Sequence, residues 1–272
     1  KTVLPHASQT VDTHMLAFRY RPSDDMSVYV KAASGFRPSS GNFPLADILT
    51  GDPIAPVVLA ADTLWSYDLG VKGNLADGMF TYDIAVWQSD WKNFQSSIFN
   101  GVATSSRNYA GSLKSRGIDG AIGFNLMDGL NVNLNATYTD SELSHDDGLL
   151  GAVKGERYPN VPKWTAAGRA SYTFSATDTV DITLNGGFRY IGESMSTFSK
   201  STQSTPVLIK GYTVADVSVN FTYNDQITST FYVANITNSD AVQSRNDAIA
   251  SMVTTAIRTK PRTIGFNLGY EF

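Results

Sequence analysis

Arg262-Thr-Ile-Gly-Phe-Asn-Leu-Gly-Tyr-Glu-Phe272 alternates without a break. Ile264, Phe266, Leu268, Tyr270 and Phe272 fall on one face of an extended chain. Thr263, Gly265, Asn267, Gly269 and Glu271 fall on the other. A period of two reads as a strand with one apolar face and one small or polar face. Chain ends ordinarily fray, so a soluble sandwich seldom keeps a whole apolar face there. A closed barrel has a reason to do so, because its last strand must pair with its first to remove the open edges.

Ten more segments of this kind precede it, at 13–20, 26–35, 64–75, 79–93, 112–126, 130–142, 163–174, 179–191, 211–223 and 226–236. Their connections alternate in length. Pro22-Ser-Asp-Asp25, Ala76-Asp-Gly78, Met127-Asp-Gly129, Ser175-Ala-Thr-Asp178 and Asn224-Asp225 are tight, and the links between them are long. Asp-Gly and Asn-Asp tolerate the positive φ of hairpin turns. Short turns on one side and long loops on the other are the signature of an all-β, antiparallel transmembrane barrel. The stretch 247–257, in the last long link, reads either as a short helix or as a strand extension.

The faces agree with that reading. Trp65, Tyr67, Leu69, Val71 and Leu75 oppose Ser66, Asp68, Gly70, Lys72 and Asn74. Leu130, Val132, Leu134, Ala136 and Tyr138 oppose Asn131, Asn133, Asn135 and Thr137. A polar face this regular suits a wet lumen. The 226–236 segment is weaker, since Tyr232 and Ile236 interrupt its polar face. Aromatics sort to the segment ends: Tyr20, Phe80, Tyr82, Tyr172, Phe174, Phe221, Tyr223, Tyr270 and Phe272 at the short-turn side, and Trp65, Tyr138, Trp164, Phe188 and Tyr190 at the long-loop side. Two girdles around an aliphatic belt fit a lipid-facing surface.

Composition narrows the function. The longest nearly apolar run, 54–61, is far short of a membrane helix and contains Pro56. The mean hydropathy of -0.15 does not argue against a membrane, because strand alternation averages to neutral. A net charge of -4 gives no support for nucleic-acid binding. Without cysteine there is no thiolate metal site and no cysteine nucleophile. His6, His14 and His145 have no zinc spacing, and neither a Gly-x-Ser-x-Gly elbow nor a phosphate loop is present. No enzyme, metal or cofactor is expected. The acids Asp140, Glu142, Asp146 and Asp147 around His145 read as a solvated loop, since Gly148 falls too late for a calcium-loop pattern.

Several stretches together resemble one family, the TonB-dependent receptors of the bacterial outer membrane. They are Tyr20-Arg-Pro-Ser-Asp-Asp25 with Ser34-Gly-Phe-Arg-Pro38, then Leu64-Trp-Ser-Tyr-Asp-Leu-Gly-Val-Lys-Gly73, Ser115-Arg-Gly-Ile-Asp119, Val161-Pro-Lys163, Asn235-Ile-Thr-Asn238 and the final strand. The resemblance implies a 22-stranded barrel filled by a plug, of which residues 1–272 are the C-terminal half, the N-terminal plug domain lying outside this sequence. It implies a receptor that imports a scarce ligand into the periplasm. An iron–siderophore complex leads, with a cobalamin or an oligosaccharide as the other classes. The partners implied are the TonB energy-transducing complex, outer-membrane lipid and lipopolysaccharide, and the barrel-assembly machinery. That machinery is expected to read the terminal aromatic of the strand carrying Phe266, Leu268, Tyr270 and Phe272. A passive channel or structural barrel without a plug is the alternative, and a soluble β-sandwich that binds through its loops is a third.

The resemblance places Asp68 and Asp119 where the family usually carries a Glu that pairs with plug arginines. Asp is one methylene shorter, and Asp83 on the same face is a substitute. Arg37, Trp87, Trp91, Tyr109 and Arg157 lie in or near the long loops, and we expect them to line a substrate vestibule of mixed aromatic and polar character.

Overall fold

A computed structural model describes residues 10–99, 102–248 and 252–271. Eleven long strands form one antiparallel sheet in sequence order. They are β1 (Met15–Ser23), β2 (Met26–Arg37), β3 (Asp62–Leu75), β4 (Phe80–Lys92), β5 (Ser112–Met127), β6 (Leu130–Leu143), β7 (Trp164–Thr177), β8 (Val180–Ile191), β9 (Tyr212–Tyr223), β10 (Ile227–Ala234) and β11 (Thr263–Tyr270). Each matches an expected segment to within a few residues. Among the described residues, β1 and β11 each pair on one side only.

The turn chemistry explains the tight ends. Asn224 and Asp225 both take positive φ, at 47° and 57°. This is the twist that a two-residue hairpin needs. Gly78 and Gly129 take the left-handed position in their turns.

The outward face carries the apolar set. Leu16, Phe18, Leu69, Val86, Ile118, Trp164, Phe231, Phe266 and Leu268 are all exposed. Water would not tolerate so continuous a surface, and lipid would. Rings meet across strands at both ends of this belt. Phe80–Phe124 centroids are 5.2 Å apart at the short-turn side and Tyr138–Trp164 4.8 Å at the loop side, with Phe231–Phe266 at 4.6 Å midway along β10 and β11. Tyr232, which breaks the polar pattern of β10, lies inward with its ring against Gly265 of β11.

The buried core is under the loops, not within the sheet. Phe94, Tyr109, Leu113, Leu143, Leu150, Ala152 and Phe198 cluster there, with Trp91 and Tyr158 packed against them. A second cluster joins Leu45 and Ala55 of the 38–61 loop to Ile98 of the 93–111 loop. Within the loops, Gln95–Phe99 pairs with Thr104–Asn108, and Val242–Ala248 with Val253–Arg258. Over 247–257 the described residues are therefore hairpin strands, and the helical alternative is set aside. Its Thr254 and Thr255 favour extended backbone.

Polar bonds tie neighbouring loops together. Gln203 accepts from the Phe99 amide and donates to the Leu149 carbonyl, at 3.2 and 3.3 Å. Ser204 donates to Asn246 at 2.7 Å. The five long connections thus form one layer over the sheet's loop end.

Candidate functional site: the inner wall and the loop layer

Strand register stacks the inward side chains into cross-strand rows. Directly under the loops, Leu64, Trp91, Leu113 and Leu143 stand side by side. In the next row are four serines, Ser66, Ser89, Ser115 and Ser141. Below them come Lys31, Asp68, Trp87 and Gly117, then Tyr29, Gly70, Ala85 and Asp119, then Lys72, Asp83 and Ala121. The wall changes from apolar to hydroxyl to ionisable as it descends from the loops.

The three expected acids therefore share one patch of this wall, on β3, β4 and β5. Asp68 is not free. Lys31 Nζ reaches its carboxylate at 3.1 Å, and Ser66 Oγ donates to it at 3.4 Å. Asp83 and Asp119 are exposed to the lumen side. Tyr29 feels the charges of Asp83, Asp68, Lys31 and Asp119 together. Its ring lies flat over Gly70, where any Cβ would strike it. Trp87 uses Gly117 in the same way. Glycine opposite an inward aromatic lets a large ring lie along a wall that otherwise has no depth for it. The Trp87 indole N–H is covered and has no hydrogen-bond partner among the described residues. An orphan donor of this kind costs roughly 1–3 kcal/mol.

Lower on the wall, a trough of about 580 Å³ runs across β3 to β7, with Lys72, Asp83, Asn133, Asn135 and Arg169 along it. Between these polar side chains its lining is small or apolar, with Ala121, Gly123 and Ala167.

The expected vestibule residues separate. Arg37 forks onto Asp62 through Nε and Nη2 at 2.8 and 2.5 Å, donates to the Gln95 carbonyl at 3.2 Å, and lies over the Trp91 ring at 5.1 Å. It braces the 38–61 loop to the 93–111 loop. Trp91 packs into the loop core, 5.7 Å from Phe94. Arg157 donates to the Val161 carbonyl at 3.0 Å, closing its own loop.

The vestibule reading of Tyr109 is corrected. Its side chain is fully buried, stacked on Phe94 at 4.7 Å, with its hydroxyl bonded to both the amide and the carbonyl of His145. Burial pushes its phenol above the ordinary value, and the His145 bond acts in the opposite sense. A phenol that keeps its proton can donate to the carbonyl. Local sequence did not show this, because the partner is 36 residues away.

The acids near His145 are structural too. Asp147 pairs with Arg107 at 2.8 Å and accepts the Leu149 and Leu150 amides. Among the described residues no group of three acids or histidines is placed to hold a metal. Asn235, from the Asn-Ile-Thr-Asn stretch, is buried with φ 51°. It donates to the Ser239 and Lys260 carbonyls and accepts from Thr237 and the Ser239 amide. One side chain thereby caps the exit of β10 and fixes where the last loop begins.

The sequence model described as TonB dependent receptor-like, beta-barrel, matches residues 4–238. The chain belongs to the TonB-dependent receptor family. It is 25% identical over 229 residues to the catecholate siderophore receptor Fiu of Escherichia coli K12, covering 84% of this chain and 29% of Fiu. It is also 25% identical over 179 residues to an uncharacterized TonB-dependent receptor of Haemophilus influenzae, covering 66% of this chain and 48% of that protein. The chain thus spans less than half the length of each.

Two solved structures share the fold. The ferric yersiniabactin uptake receptor FyuA of Yersinia pestis superposes with a TM-score of 0.77 at 20% identity, over 95% of this chain and 37% of FyuA. The ferric-catecholate import receptor Fiu of E. coli K12, in its closed form, gives 0.70 at 18% identity, over 95% of this chain and 34% of Fiu. The eleven-stranded sheet is therefore barrel wall of a TonB-dependent receptor, a protein of the bacterial outer membrane. The family is one of transport receptors.

The Leu64–Gly73 and Ser115–Asp119 motifs of this family lie two strands apart, and both send an acid inward. The four-serine row carries no sequence signature of its own. Each serine has the inward parity, but only the register aligns them. Phe266, Leu268 and Tyr270 lie on the outward face of β11 and are exposed. Phe272, the terminal aromatic of the expected assembly signal, lies outside the described residues.

Proposed function

We propose that this chain is the C-terminal half of the barrel of a 22-stranded receptor that imports a ferric siderophore across the outer membrane. The observation that carries the proposal is the family match over 4–238, joined to likeness with the catecholate siderophore receptor Fiu over 84% of the chain. In this reading the loop layer receives the ligand, and the ionisable patch of the inner wall holds a plug. TonB supplies the pull that releases it. No covalent step is involved. What the wall contributes is a set of acceptors at Asp68, Asp83 and Asp119.

The test uses the full receptor in an outer-membrane host that lacks its own siderophore receptors. Under iron chelation, growth on a ferric catecholate is expected, and it should disappear when TonB is deleted. Equal growth without TonB would favour a passive channel. Growth on none of a catecholate, a hydroxamate or a cobalamin-dependent medium would remove the importer reading.

The same proposal makes Asp68 and Asp119 a latch for plug cations. A carboxylate and a guanidinium in a crowded lumen form strong paired hydrogen bonds. Lys31 and Ser66 both engage Oδ2 of Asp68, which leaves Oδ1 for a plug guanidinium. Asp68→Ala with Asp119→Ala is expected to leave barrel assembly intact and to raise single-channel conductance. A conductance equal to that of the parent receptor would sink the latch.

A further inference from the structure

The last long connection carries a hairpin whose two edges differ. Its first arm, Val242–Ala248, pairs with its second, Val253–Arg258. The base is pinned. The Thr259 amide donates to the Ala241 carbonyl, and the Asn235 side chain holds the Lys260 carbonyl at 2.8 Å. The far edge of the first arm is occupied: the Thr205 amide donates to the Asp247 carbonyl at 2.9 Å, and Ser204 bridges to Ala248. On that side the 192–211 loop continues the ladder.

The second arm has no such neighbour. Among the described residues it pairs with the first arm alone, and all six of its residues are exposed. Val253, Thr255 and Ile257 share one face, with Val253 52% and Ile257 63% exposed. Open edges are ordinarily blunted by Lys or Pro. Val253-Thr-Thr-Ala-Ile257 contains neither and carries no charge, and every residue but Ala256 is β-branched, which favours extended pairing. An edge of this kind is a template for a further strand.

Strand order decides which way this edge faces. The 192–211 loop joins β8 to β9, so the first arm faces back along the sheet. The second arm leads down into β11, whose own outer edge is unpaired among the described residues. Closure of the barrel, on the reading proposed above, sets the first strand of the receptor against that edge. β11 runs from the loop side to the short-turn side. Its antiparallel partner runs the opposite way and ends beside the hairpin. The connection that follows that partner lies on the side where barrels of this kind carry their long loops.

We propose that Val253–Ile257 pairs, strand to strand, with an extended segment of the first outer loop of the full receptor. The inference rests on the closed 22-stranded reading. Wall and loop layer are then sealed at one seam, the wall by β11 and the layer by this arm. The segment it takes is bonded through its backbone and is apolar on the face that covers Val253 and Ile257. The first arm cannot serve in its place, because its edge is already taken by 204–205.

The test places a photoreactive benzoylphenylalanine at position 257 of the full receptor, irradiates outer membranes and identifies the joined peptides by mass. Cross-links are expected in the first outer loop of the same polypeptide. A doubled mass on a denaturing gel would overturn the pairing in favour of a second receptor copy, and cross-links to lipid alone would overturn it as well. The same group at position 266 of β11 reports barrel closure separately. If it never reaches the first strand, the closed-barrel reading fails and the seam with it. If it does, and position 257 does not reach the first outer loop, the seam alone fails.

Hydrogen exchange on the unsubstituted receptor gives a second readout. Pairing on both edges protects every amide from Val253 to Ile257, whereas a free edge leaves alternate amides exchanging at the unpaired rate. Fast exchange at alternate positions would overturn the proposal. Thr255→Lys sets a charge on the edge and should cost the alternate amides their protection, with the heat-dependent gel shift of the folded barrel unchanged. Full protection in that variant would assign it to burial and overturn edge pairing.

Discussion

Arg37→Ala is expected to destabilise the loop layer by about 3–5 kcal/mol, the range for breaking a buried pair by removing one partner. Asp62 is only 2% exposed. Its carboxylate accepts from Arg37 Nε and Nη2, from the Arg37 amide at 3.2 Å and from the Gln95 amide at 3.1 Å. Losing the side chain leaves a covered charge with two backbone donors. The 38–61 and 93–111 loops should then part, because the same guanidinium also bonds Gln95 and covers Trp91. Limited proteolysis of the full receptor, read by peptide mass, should show new cuts in those two loops while the strands stay protected. Arg37→Lys keeps the charge but loses the fork, and should fall between. Arg37→Met with Asp62→Leu should recover much of the loss, since it removes the stranded charge. Proteolysis identical to wild type for Arg37→Ala would show that the bridge does not hold the loops.

Tyr109→Ala is the second large effect, and it acts on the other side of the same layer. Emptying a buried aromatic site costs about 3–5 kcal/mol. Here the ring also stacks on Phe94, and the hydroxyl is the partner of both His145 backbone groups. The 93–111 and 144–163 loops lose their common centre. Thermal unfolding in detergent should show an early transition for the loops, separate from that of the barrel. Tyr109→Phe keeps the ring and strands the His145 amide, so a loss of about 1–3 kcal/mol is expected. If Phe costs as much as Ala, the hydroxyl and not the packing is the main tie. If Ala leaves a single unchanged transition, the cluster is not a cooperative core.

Both effects concern residues whose roles the sequence did not disclose. Arg37 and Tyr109 stood out there as loop residues of binding character. Their chemistry is that of a ligand site, but their neighbours are other loops. A tyrosine or arginine in a long connection looks the same in sequence whether it faces a ligand or a buried carboxylate. Asp62 was likewise an unremarked residue at the start of a strand. Asp68, Asp83 and Asp119 were legible as inward acids from parity. That Lys31 holds Asp68 was not, because Lys31 and Asp68 meet only through the pairing of β2 with β3.

The sequence by itself determined the eleven strands, their inward and outward faces, the five tight turns and the two aromatic girdles. These are local properties: the side-chain period of an extended chain, and the positive φ that Asn, Asp and Gly accept. Only the tertiary structure decided what lies beside what. It aligned four serines into a row, set Arg116 beside Asp140, and gathered Phe94, Tyr109 and Phe198 from two loops, with Leu143 from the end of β6, into one core. Lateral register and loop packing join residues tens of positions apart, and alternation within one strand holds no information about the offset to the next.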